Sequence, residues 1–480
     1  MSGYIEGVDR EQSALFPERL EDWIDENNPV RVVDAFVDAL DLAALGLART
    51  PPGRMGRPKY RPSMLLKLYI YGYLNKVQSS RRLEREAGRN VEVMWLTARL
   101  APDHKTIADF RKDNGKAIGK VCAQFVQLCR QIGLLTKARV AIDGSKFKAV
   151  NHRDNNFTAA KLKTRLAHLE ASAARYLADL DRMDRQDRKE VELAKVEHLQ
   201  DKLERIQQEV KRLEEIRRDL EASPDKQISL IDPDSRSMTS KGAGTGTVGY
   251  NVQSVVDTES HLIVTHEVTN IGSDRAQLTA MAQAAKDVLE VDTIDVVADR
   301  GYFSSKEILA SHTAGITATI PKTNTSPNRK KGLYDKADFR YDAEEDVYRC
   351  PAGQKLTYRT TMKDDNGLMF RRYWFNRCLV CPLHALCTTG NERRVARWEH
   401  EHLLDDMQAR LDKNPEAMRQ RRSTVEHPFG TIKAWMGETH FQMKRLKNVS
   451  TEMALHVLAY NLTRVLNIIG VKALMRAIAA

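Results

Sequence analysis

The sequence predicts an α/β fold, a sheet covered by helices and interrupted by two inserts, and three observations predict it. Short apolar runs rich in Val, Ile, Thr and Tyr alternate with amphipathic stretches at helical spacing. These strand signals begin only after about 135 residues of purely helical pattern. Two segments then break the alternation, one long and charged, the other polar and carrying most of the cysteines.

Residues 1–135 are predicted to form a helical N-terminal domain. VRVVDAFVDALDLAAL and, after its proline start, PSMLLKLYIYGYLNKVQ place apolar residues at helical spacing. SSRRLEREAGRN and TIADFRKDNGKAIGKVCAQFVQLCRQIGLL continue the pattern, with Cys122 and Cys129 on one face, as core. RTPPGRMGRPKYRP, basic and rich in Gly and Pro, reads as a loop. A helical module with a basic loop suits DNA, its Arg and Lys fixing register on phosphates. The plainer reading is a packing domain with solvated arginines.

Residues 136–480 carry the sheet. ARVAIDGSKFKAV is the first strand, with Asp143 at its end. The charged insert 158–222 spaces Leu162, Leu166, Leu169, Ala173, Tyr176, Leu180 and Met183, then Leu199, Leu203, Ile206, Val210 and Leu213, by alternating steps of mostly four and three. The register fades at DRMDRQDRKE, so a helical, coiled-coil hairpin fits better than one rod. GTVGYNVQSVVDTES and HLIVTHEVTN read as paired strands, DRAQLTAMAQAAKDVLE as a helix, IDVVADR as the strand bearing Asp299. SKEILASHTAG is a short helix and ITATIP a last strand. A Cys-containing insert, 322–415, precedes a helix with Glu426. Without the inserts this order is the ribonuclease H-like arrangement, in which the first and fourth strands are neighbours.

Asp143, Asp299 and Glu426 thus sit at two strand ends and on one helix. Two divalent ions ~3.5–4 Å apart need such a shared acidic cage to clamp the attacking and leaving oxygens of a phosphodiester. The formal charge of +11 and a pI of about 9.2 favour a polyanionic partner, although an ordinary basic protein has the same balance. No long apolar stretch suggests a membrane span, and MSGYIEGVDREQ lacks a secretory pattern, so a cytoplasmic, reducing setting is expected. Cys350, Cys378, Cys381 and Cys387 are then either a structural zinc site, with His384 as a substitute ligand, or reduced thiols held by packing.

IDGSKFKAVN, GYNVQ, ADRGYF and VEHPFGTIK, in this order, resemble bacterial insertion-sequence transposases of the DDE class, closest to the eleven-eighty-two insertion-sequence group. RPSMLLKLYIYGY, PDHKTIADFR and CPLHALC extend the resemblance over most of the chain. That class carries Tyr, Arg, Glu and Lys around its glutamate. Here Arg422, Glu426 and Lys433 keep the spacing, and Arg419 replaces the Tyr. The resemblance implies a transposase that cuts and rejoins the double-stranded DNA of its element's ends and target. Asp143, Asp299 and Glu426 would hold Mg²⁺ or Mn²⁺, and Arg422, Lys433 and Arg300 would contact DNA. A homodimer on DNA and a nucleoid-associated location follow. Two rivals are a metal-dependent nuclease that does not join strands and a catalytically silent DNA-binding derivative.

Overall fold

The computed structural model describes residues 19–47, 59–135, 137–184, 190–223, 225–238, 246–323, 326–365 and 367–480. Most of the basic RTPPGRMGRPKYRP segment lies outside these residues. Helices α1 (Pro29–Asp38), α2 (Pro62–Leu74), α3 (Ser80–Ala87), α4 (Val91–Leu96), α5 (His104–Asp113) and α6 (Gly115–Gln131) open the described chain. Asn28 and Asp103 accept the first free N–H groups of α1 and α5, and prolines start α1 and α2. The long fourth run of the sequence is two helices, because the chain turns at Asn114.

Strand β1 (Arg139–Lys148) begins the main sheet. The charged insert follows. Short strands β2 (Asn156–Thr158) and β3 (Gln227–Ser229) pair at its base, below helices α7 (Ala159–Asp184) and α8 (Glu190–Ala222), which pack on each other. Phe157, Leu162, Leu213, Ile216 and Leu220 form a separate core there, as the hairpin reading requires.

The main sheet resumes with β4 (Arg236–Met238), β5 (Thr247–Asp257) and β6 (Ile263–Thr269), then helix α9 (Leu278–Leu289), β7 (Ile294–Ala298), α10 (Ser305–Thr313) and β8 (Ile316–Thr319). Its order is β4-β5-β1-β7-β8, with β6 also paired to β5. Strand β5 runs antiparallel to β1, whereas β7 and β8 run parallel to it. This is a ribonuclease H-like mixed sheet with helices against it, and the first and fourth long strands are neighbours as expected.

A second, antiparallel sheet, β9 (Arg340–Asp342), β10 (Val347–Arg349), β11 (Lys355–Lys363), β12 (Met369–Trp374) and β13 (Val395–Trp398), holds the cysteine-bearing segment and the single-turn helix α11 (His384–Cys387). It has its own small core of Phe339, Tyr348, Leu356, Tyr373 and Val395. Helix α12 (Glu401–Lys413) returns to the main sheet, where Arg410 donates to the Ala318 carbonyl at 2.8 Å. Buried Glu401 ties the second sheet in place by accepting from the Trp398 N–H (3.0 Å) and pairing with Lys336 (2.7 Å).

Helix α13 (Ala417–Gly430) crosses β1, β7 and β5, and a π-helical turn, Thr431–Trp435, follows it. Helix α14 (Leu446–Ile469) is buried on nearly every side from Val449 to Leu462, wedged between α2, α6 and β6, before α15 (Val471–Ala479). A helix apolar all round belongs inside, and α14 joins the helical module and the sheet in one continuous core. Cys122 and Cys129 lie in that core, where burial pushes both thiols up to about 12. Among the described residues no single helix is long and apolar enough to cross a membrane.

Candidate active site

The parallel register of β1 with β7 pairs Ile142 with Ala298. Asp299 is the first residue past the end of β7, whereas Asp143, expected at a strand end, is in the middle of β1, which runs on to Lys148 paired with β5; the two acidic groups stand side by side where β7 stops against β1. Neither is free to swing. Asp143 accepts the Gly144 N–H (2.9 Å), and Asp299 caps the turn Arg300–Tyr302 by accepting the Gly301 N–H (2.7 Å). Gly301 is needed because a Cβ there would stand 2.8 Å from Asp299 Oδ1. At Gly144 a Cβ would collide with the Gln253 and Asp274 side chains.

Beneath the two aspartates is a polar floor. Tyr302, buried, donates to Gln253 Oε1. Gln253 and Asn251 in turn donate to Asp274 Oδ1 at 2.7 and 2.8 Å. Buried side-chain networks of this kind rigidify what stands on them.

Helix α13 lays Arg421, Val425 and Phe429 onto this sheet, the i, i+4, i+8 face of the helix. Arg421 Nη2 lies 2.6 Å from Asp143 Oδ1 and donates to the Ile142 carbonyl at 3.2 Å, while its buried Nε has no partner. Burial pushes the Asp143 carboxyl above its ordinary range; the Asp299 charge adds to this, and Arg421 and the Gly144 N–H oppose it. Sequence reasoning passed over Arg421 in favour of Arg422. The signal was the apolar stripe Val425–Phe429, whose upstream member is Arg421.

Glu426 is exposed on a flank of α13, as is Arg422, and neither has a hydrogen-bond or ion-pair partner among the described residues. The carboxylates of Asp143, Asp299 and Glu426 do not close to within 4.8 Å as a group of three. The sequence puts Arg422, Glu426 and Lys433 on one face, but the π-turn changes the register. Lys433 is turned inward, donating to Ser145 Oγ (2.6 Å) and the Lys146 carbonyl (3.0 Å), with its ammonium 4.4 Å from the Phe147 ring centroid. Burial lowers its proton affinity, and the nearby Asp143 charge opposes that. Arg300 is exposed beside Asp299, and Arg419 pairs with Glu416 at 3.3 Å. His427 packs with Tyr460, Nδ1 to hydroxyl 2.8 Å, in keeping with a packing role.

An acidic–histidine cluster able to hold a divalent ion is present elsewhere. Ligand atoms of Glu438, Glu452 and His456 lie within 4.8 Å of one another. Glu452 and His456 are one turn apart on α14; Glu438 follows the π-turn. His456 Nε2 is 2.7 Å from Glu438 Oε2, without hydrogen-bond alignment, and Glu452 accepts the Gln442 and Met443 N–H groups. Burial pushes the Glu438 carboxyl up to about 8 and lowers His456 to about 4. All three residues are at most 1% exposed, so no DNA phosphate can reach them. Neighbouring His440 pairs with Lys148 at the end of β1 away from Asp143. Nothing in the spacing of distant segments announced this cluster, although a Glu and a His one turn apart inside the apolar run TEMALHVLAY were the visible sign.

The family described as "Transposase DDE domain" matches residues 223–462, half of the chain, and that described as "Transposase domain (DUF772)" matches residues 18–113. Asp299 and Glu426 fall inside the first match; Asp143 lies outside both. No curated protein matches the chain. Among solved structures, a cryo-EM structure of the piggyBac transposase synaptic complex with hairpin DNA is similar at 8% identity, over 94% of this chain and 79% of that chain, with a TM-score of 0.33. A likeness that loose carries no argument.

Proposed function

Because the chain belongs to the DDE transposase family, we propose that it cuts and rejoins DNA at the ends of a mobile element, of the eleven-eighty-two insertion-sequence type. The observation that carries this reading is the pair of aspartates on adjacent parallel strands, with α13 lying across them. Asp143, Asp299 and Glu426 would hold Mg²⁺ or Mn²⁺. The fit is supported by Asp143, which already holds a cationic guanidinium, and by an all-oxygen donor set suited to hard cations. When bound, the ions supply an activated water and stabilise the leaving oxygen.

The protein's own residues do the rest. The strands and the Gly144 and Gly301 N–H donors fix the direction of the two aspartates before any ligand arrives. Glu426 would turn in from the flank of the helix, and Arg421 would move off Asp143 for an ion to enter. Exposed Arg422 and Arg300 would grip phosphates. Lys433 seats the helix on β1 beside the acidic pair. Double-stranded DNA, a homodimer assembled on it, and strand joining belong to the same proposal.

Asp143→Asn, Asp299→Asn and Glu426→Gln are expected to abolish cleavage of the element's terminal sequences and leave gel-shift binding nearly unchanged. A variant that cuts at the wild-type rate removes its residue from the site. Cleavage without transfer into a target plasmid favours the nuclease reading.

A further inference from the structure

The second sheet carries a feature that the proposed DNA chemistry does not use. Cys350, Cys378, Cys381 and Cys387 come from three separate segments and line one small cavity of about 30 Å³. Cys350 sits in the turn after β10, where the Gly353 N–H returns to its carbonyl at 2.8 Å; Gly353 has a φ of 73°, left-handed backbone suited to glycine. Cys378 and Cys381 bracket one helical turn, the Cys381 N–H donating to the Cys378 carbonyl at 3.1 Å. Cys387 ends α11.

Packing alone explains this arrangement poorly. Between the two middle cysteines, Leu379 is 64% exposed and Val380 83% exposed. A loop folded for apolar burial would turn those two large side chains inward. Instead they face solvent while the half-buried cysteines line the cavity. The core of the second sheet is also slight, a cluster of five buried side chains, and such small lobes commonly need a disulfide or a metal. All four cysteines are free thiols.

One further group points into the same cavity. Arg393 lines it and stacks on Phe339 at 5.4 Å, yet its Nε is buried with no hydrogen-bond partner. A dication bound by four thiolates has a net charge of −2; the Arg393 guanidinium beside it offsets half of that charge and gives its idle Nε an acceptor. His384 is engaged elsewhere, its Nε2 3.0 Å from the Gly390 carbonyl. This leaves sulfur as the donor set, the choice of zinc over hard cations.

We propose that these four cysteines bind one structural zinc ion that clips the second sheet together, with Arg393 offsetting part of its negative charge. Each thiol loses its proton to solvent as its sulfur binds the ion. As they stand, no three of the sulfurs lie within 4.8 Å of one another, so the ion draws them inward by side-chain rotation.

The test uses the full chain, purified without added metal and assayed by elemental analysis. About one zinc per chain is expected, released when a mercurial blocks the thiols. Exchange with Co²⁺ should give the sulfur-to-cobalt charge-transfer bands of a tetrahedral thiolate site. Cys378→Ser with Cys381→Ser should lose zinc, and Cys122→Ala should keep it. Should the double variant fail to fold, alkylation of the native chain decides: four thiols protected until a chelator removes zinc support the site. Folded wild-type chain with less than about a tenth of a zinc, iron in its place, or four thiols alkylated at once overturns it. Asp143→Asn is expected to retain zinc fully, so this outcome is independent of the DNA-cutting proposal.

Discussion

Arg421 is the residue whose behaviour says most about the acidic pair. Its guanidinium, 2.6 Å from Asp143 Oδ1, is a resident cation in the place the proposed ion would need. Arg421→Ala is therefore expected to tighten Mn²⁺ binding roughly tenfold at pH 8, since removing one nearby positive charge is worth on the order of 1–2 kcal/mol at a partly solvated site. The effect should shrink as pH falls. Arg421 holds the Asp143 proton affinity down against burial, so without it the carboxyl protonates at a higher pH and competes with the ion. Titration calorimetry of both proteins checks this; equal affinities would mean that Arg421 does not compete for the site. At this scale the sequence was half legible. That Asp143 and Asp299 stand side by side could be read because each ends an apolar run of neighbouring strands; that β1 runs on past Asp143 to Lys148 could not. Arg421 is marked only indirectly, as the upstream member of the Val425–Phe429 stripe that meets the sheet, whereas Arg422 is marked by its spacing from Glu426.

At the scale of elements, α13 and its π-turn decide which cations face solvent. Lys433→Ala loses two hydrogen bonds to β1 and a contact with the Phe147 ring. It is expected to lower unfolding stability by about 1–3 kcal/mol and leave the salt dependence of DNA binding near wild type. Arg422→Ala, which removes an exposed cation, should instead reduce that salt slope by roughly one. Urea unfolding and binding at several salt concentrations separate the two; the reverse pattern would show Lys433 on phosphate. The strands and their order were readable because Val- and Ile-rich runs bounded by turns have few alternative pairings. The hairpin of α7 and α8 was readable from its two apolar seams. The π-turn was not, since TIKAW has no local signature and the extra residue per turn is set by packing against β1.

The molecule as a whole is one body because α14 is shared by the helical module and the sheet, and the Glu438–Glu452–His456 cluster lies in that seam, with His456 4.6 Å from the Tyr73 ring. Glu438, raised to about 8, binds a proton more tightly folded than unfolded. Its stabilisation is complete below about pH 4.5 and is lost as pH rises through about 8. His456, lowered to about 4, has the opposite slope between about pH 4 and 6.5. The net fall in stability should therefore appear between about pH 6.5 and 8. Glu438→Gln should flatten it, narrowing the melting-temperature difference between pH 6.5 and 8.5 relative to wild type. Parallel curves for the two proteins would mean that Glu438 ionises normally.

Apart from the four cysteines proposed for zinc, two places come into question for a hard divalent cation, the proposed aspartate pair under α13 and the cluster of Glu438, Glu452 and His456 against α14, and the second is buried away from DNA. A crystal soaked in Mn²⁺ and measured at the manganese edge discriminates between them. The predicted result is anomalous density between Asp143 and Asp299, with Glu426 turned toward it and Arg421 displaced. Density confined to Glu438, Glu452 and His456, with Arg421 still on Asp143, would contradict the account.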